Sequence, residues 1–91
     1  MFMVIDFGCD IGDILYVVDV KYRKIRPFKV DVLKVFENGN YTAHGYLDYG
    51  KYSLPDEVSL KYLNKRSVFK NKKDARSWLD KKLKESENKI I

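Results

Sequence analysis

Along residues 28–35 the apolar side chains alternate with period two and then change phase. Phe28, Val30 and Val32 fall on one side with Lys29 and Asp31 on the other, whereas Leu33 and Val35 continue on the opposite side. Strand side chains alternate strictly, so a phase change inside one uninterrupted run requires a β-bulge or sharp bend near Val32 and Leu33. A strand bent in this way serves two parts of a curled sheet, and it predicts a small antiparallel β-barrel.

The flanking segments fit that expectation. Ile14 to Val18 is β-branched and aromatic and lies between Asp13 and Asp19, which reads as a buried strand. Asn38-Gly39 is the pair preferred in a two-residue hairpin turn, where both central residues take positive φ, so Tyr41 to Asp48 returns antiparallel. Tyr49-Gly50-Lys51 marks a further reversal, followed by a short strand from Tyr52 to Leu54 that Pro55-Asp56 is expected to end, because proline lacks a ladder donor. Met1 to Phe7 and Val68-Phe69 are candidate short strands, with a helical turn between Ser59 and Leu63.

One secure helix closes the chain. Asn71 is placed to cap it with Asp74 reciprocating, and Ala75, Trp78, Leu79 and Leu83 share one helical stripe. The expected organisation is therefore one domain, residues 1–91, with a barrel over about residues 1–69, a helix over about 71–86 that closes it, and a frayed end at 87–91.

A chain of 91 residues buries only a thin core and leaves little room for a deep pocket. Its single cysteine excludes an internal disulfide, and its first twenty residues hold four Asp and no Lys or Arg, the reverse of an export signal. The longest apolar runs, such as Ile14 to Val18, fall far short of the ~20 residues that cross a bilayer. A cytoplasmic protein without a membrane partner is the expectation.

Gly12-Asp13 leading into Leu15-Tyr16-Val17-Val18-Asp19, then Leu63-Asn64-Lys65, Val68-Phe69 and an amphipathic helix, together resemble small proteins encoded by phages and mobile elements of Gram-positive bacteria. Asn64 stands where that group usually has Gly. The resemblance implies an SH3-like barrel with an appended helix, and a role in binding a host enzyme, a defence nuclease or nucleic acid. It transfers no catalytic residue.

Reactive groups are sparse. His44 and Cys9 are the only His and Cys, too few for a zinc site, and nothing in the sequence brings them together as a nucleophilic pair. Asp6, Asp10 and Asp13 match no calcium-loop spacing and read as turn formers. No enzyme activity, metal or cofactor is expected.

Charge is the informative property. The net +5 is polarised, with −4 over residues 1–20 and +6 over residues 64–91. Lys70, Lys72, Lys73 and Arg76 crowd the helix start, where cations oppose the macrodipole and, with free amides, form a candidate anion cradle. Tyr22, Arg23, Lys24 and Arg26 form a second basic cluster with an aromatic inside it, suited to neutralising phosphates and stacking bases. These eight residues are the candidate nucleic-acid or anion site. The alternative partner is a host protein docked on Tyr46, Tyr49 and Tyr52, and exposed strand edges leave a dimer open.

Overall fold

The computed structural model describes residues 6–88. Five strands, β1 (Ile14–Asp19), β2 (Lys24–Val35), β3 (Tyr41–Asp48), β4 (Ser53–Ser59) and β5 (Val68–Phe69), precede one helix, α1 (Lys72–Asn88). The strands form a single antiparallel sheet in the order β4-β3-β2-β1-β5, so the fold is mainly β with a C-terminal helix. Most of the strand expected at Met1 to Phe7 lies outside the described residues, and Asp6 and Phe7 are not in a strand. At the other end the helix continues through residues 87 and 88, where fraying was expected, and 89–91 lie outside the described residues.

The expected barrel is not closed. Closure would need β4 to bond β5, but β5 offers only two residues, both paired with β1, and the chain between Ser59 and Val68 runs as a turn. The sheet instead curls around its core. Leu15, Phe28, Val30, Ala43 and Leu47 line the inner face, joined by Val58 and Val68 from the two edges. Cys9, Leu60 and Leu63 from the connecting segments cover it, as does Phe7, whose ring meets Tyr41 edge-on at 5.6 Å. The helix does not plug the gap either. Ala75, Leu79, Trp78 and Leu83 pack on the opposite face, against Val18, Phe69, Tyr16 and Ile25, with Trp78 tilted over Phe69 at 6.1 Å.

The phase change in β2 is a bulge between Val30 and Val32, slightly earlier than the pattern suggested. Val30 pairs with Gly45 and Val32 with His44, leaving Asp31 as the extra residue. Val32 is thereby turned outward, 52 % exposed, while Leu33 rejoins the core. Beside the bulge the two backbones nearly touch: a Cβ at Gly45 would lie 1.8 Å from the Lys29 carbonyl oxygen and 3.2 Å from the Phe28 ring.

Two turns differ from expectation for readable reasons. Only Gly39 has positive φ in the β2–β3 connection, and bonds from Gly39 N–H to Phe36 O (3.0 Å) and Phe36 N–H to Asn40 O (2.8 Å) define a three-residue loop in place of a two-residue turn. Pro55 does not end its strand, because β4 is an edge on which a residue without an N–H faces the unpaired side. No helix among the described residues is long and apolar enough to cross a membrane.

Replacing Gly45 with Ala is expected to destabilise the fold at the upper end of the ~1–3 kcal/mol typical of overpacking, because backbone must yield. Urea denaturation measures this, and an unchanged midpoint would refute the close crossing.

Candidate functional site

In an antiparallel meander the first and third reversals lie at the same end of the sheet. Asp19 pairs with Lys24 and Phe28 with Leu47, so the β1–β2 turn (residues 20–23) and the β3–β4 turn (residues 49–52) are neighbours. Lys24, Arg26, Asp48 and Tyr49 line a shared cleft of about 220 Å³ between them. The loop before β5 reaches the same end, since Val18 N–H donates to Ser67 O at 2.7 Å and Arg66 follows beyond it.

The β1–β2 turn is held by local bonds to the Asp19 carboxylate and within its own backbone. Tyr22 N–H donates to Asp19 Oδ1 (3.1 Å), Arg23 N–H donates to Val20 O (3.3 Å), and Arg23 takes a left-handed φ of 56°. This leaves Lys21, Tyr22, Arg23 and Lys24 exposed at the tip, with Tyr22 60 % exposed and the Lys21 ammonium 5.4 Å from its ring centre.

Arg26 behaves differently from its cluster. Its side chain is only 13 % exposed, its Nε lies 3.5 Å from Asp19 Oδ2, and its guanidinium sits 4.5 Å over the Tyr49 ring. Tyr49 in turn stacks on Tyr52, with centroids 5.4 Å apart and planes inclined by 16°. Arg26 therefore orders the end of the sheet and has little charge free for a ligand. Tyr49 and Tyr52, expected as part of a protein-binding face, fall at this end beside the basic cluster, together with Lys51 and Arg66, which were not expected; the meander rule applied to the sequence would have found Lys51.

The helix-start cations root elsewhere. Lys70 follows Phe69, which pairs with Tyr16, so roughly 10 Å of β1 separates this level from the Asp19 end. Lys70, Lys72, Lys73 and Arg76 are exposed, but the amides expected to be free are partly used. Lys73 N–H donates to Asn71 Oδ1 (2.8 Å) and Lys70 N–H to Asn64 Oδ1 (2.9 Å). Asn64 itself has a φ of 64°, which explains why the position suits Gly or Asn. The structure thus divides the eight candidate residues into two basic regions.

The remaining candidates separate as well. The Asp6 and Asp13 carboxylates accept the amides of Gly8 and Asp10, both at 2.8 Å, as turn formers do. Cys9 is buried under the inner face, whereas His44 lies on the outer face with Nε2 3.5 Å from Glu57 Oε1. Tyr46 is also on the outer face, in a concavity of about 370 Å³ with Val32, His44, Pro55, Asp56 and Glu57, and takes no part in the Tyr49–Tyr52 stack. Burial pushes the Cys9 thiol above its ordinary value, Asp13 adds to the rise, Lys70 opposes it and Asp10 adds to it again.

Comparison with protein families, with characterised proteins and with solved structures finds no match to this chain.

A raised pKa means less thiolate at a given pH, so Cys9 is expected to alkylate with iodoacetamide at pH 8 much more slowly than free cysteine, and to reach the free rate in denaturant. Mass spectrometry follows the reaction, and prompt labelling of the native chain would contradict its burial.

Proposed function

We propose that this chain is a non-catalytic binding module that takes nucleic acid on the basic end of its sheet. The observation that carries the reading is the convergence of two turns: exposed Lys21, Tyr22, Arg23 and Lys24 on one, exposed Lys51 and Tyr52 on the other, flanking one cleft. Cations on exposed turns neutralise phosphates and release counterions, and the interleaved rings offer stacking surfaces. The helix-start cations Lys70, Lys72, Lys73 and Arg76, exposed about 10 Å from this end, form a second contact whose amides are partly used by Asn71 and Asn64. A curled sheet with a bulged long strand and its core on the inner face supports reading the architecture as an open form of the SH3-like barrels. A setting among phage or mobile-element proteins, and a cytoplasmic location for a chain with one buried thiol, belong to the same proposal.

A host-protein partner is the second reading, favoured by the uncovered half of the outer face. There the helix is absent, and Val32 and Tyr46 are exposed beside Asp31, Asp56 and Glu57, which suits a basic protein surface carrying an apolar side chain. If that reading holds, a partner captured from nuclease-treated lysate is expected to be lost with Tyr46→Ala and kept with Tyr52→Ala.

For nucleic acid, fluorescence anisotropy with a labelled single strand is the test. Neutralising four phosphates predicts affinity falling roughly fifty-fold between about 50 and 200 mM salt. Lys21→Glu, Arg23→Glu and Lys24→Glu combined are expected to abolish binding with an unchanged melting temperature, and Lys72→Glu with Lys73→Glu to weaken it less. Salt-insensitive binding, or full binding by the first variant, would overturn the reading.

A further inference from the structure

We propose that the outward face of Tyr52 is a stacking platform for an unpaired nucleobase, so that the nucleic acid taken at this end is single-stranded. The inference rests on the nucleic-acid reading above and adds the part of the ligand that is recognised.

Three planar groups already form a column at the end of the sheet. The Arg26 guanidinium lies 4.5 Å from the Tyr49 ring centre, and Tyr52 continues the stack at 5.4 Å with its plane within 16° of Tyr49. One end of the column is held by a side-chain contact and the other sits on a backbone-closed turn. Asp19 Oδ2 holds Arg26 at 3.5 Å, while Tyr49 N–H donates to Tyr52 O (2.9 Å) and Gly50 N–H to Asp48 Oδ1 (2.7 Å), with Gly50 at a φ of 92° to make the tight reversal.

Tyr52 therefore combines two properties that rarely coincide: its ring is oriented by a stacked neighbour, and it is 57 % exposed. A ring ordered in advance loses little side-chain entropy when a ligand arrives. Any base presents a π-face that can become the next layer, and stacking of this kind tolerates every sequence. Bases inside a duplex are already stacked on both faces, so only an unpaired or splayed base can join the column. Lys51 precedes Tyr52 in the chain and Lys24 lines the cleft with Arg26 and Tyr49, so this end carries exposed cations for the phosphates of a strand whose base is stacked. Tyr46, exposed to a similar degree, has no stacked neighbour among the described residues and lies on the outer face of the sheet, which makes it the internal control.

The experiment compares three labelled probes with the full chain by anisotropy: oligo(dT), an abasic strand with the same number of phosphates, and a blunt duplex. Oligo(dT) is expected to bind between about 5-fold and 150-fold tighter than the abasic strand, the range for one stacked base. Tyr52→Ala is expected to bring oligo(dT) down to the abasic affinity without altering the abasic affinity itself. Tyr52→Phe should keep the difference, Tyr52→Leu should lose it, and Tyr46→Ala should leave it intact. Equal affinity for oligo(dT) and the abasic strand would overturn the platform, as would a Tyr52→Ala variant that still distinguishes them. In either case salt-dependent binding abolished by the Lys21, Arg23 and Lys24 reversals would leave the charge-based reading standing. If the wild-type chain binds none of the three probes, both fail together.

Discussion

The backbones of β2 and β3 pass each other at Gly45 with no space for a side chain, a Cβ there falling 1.8 Å from the Lys29 carbonyl oxygen. The rest of the sheet depends on that approach. Phe28, fully buried on the inner face, pairs with Leu47, and its ring reaches over Gly45, where the missing side chain leaves room for it and lets the sheet curl tightly. The bulge at Asp31 sits immediately beyond, adding a residue to β2 just where the strands are closest and increasing local twist. Curl and bulge together bring the two edge strands toward a common core without giving them hydrogen bonds to each other.

Curling also decides which surfaces remain available. The inner face is filled by the core and roofed by residues 7–9 and 60–63, and the helix takes the outer face over β1, β5 and the start of β2. What stays open is the outer face of β2, β3 and β4 and the two ends of the sheet. Along the free edge, Pro55 removes a donor and Asp56 and Glu57 add charge, features that oppose continued strand pairing with another chain. A partner is then expected on a sheet end or on the open half of the outer face.

At the Asp19 end, chain topology does what composition alone cannot. Two turns distant in sequence are adjacent because alternate reversals of a meander share an end, and Lys24 and Arg26 line the cleft between them with Asp48, Tyr49 and Gly50. Arg26, the last residue of the basic cluster, serves the fold by bridging Asp19 and the Tyr49 ring. That use of one charge orders the aromatic column from which Tyr52 projects.

The sequence by itself determined β1, β3, β5 and most of β2, the phase change in β2, the helix with its Asn71 cap and its Ala75, Trp78, Leu79 stripe, and the uneven distribution of charge. These are local properties: side-chain periodicity, turn chemistry and capping act between residues a few positions apart. The three-residue loop at Gly39, the passage of β4 through Pro55 and the unclosed edge were not legible, because each depends on which neighbour a backbone group finds. Only the tertiary structure decided that the two basic clusters stay apart, that Arg26 is used by the fold, and that Cys9 and His44 lie on opposite faces. Strand register and sheet order fix such distances, and no pattern along the chain carries them.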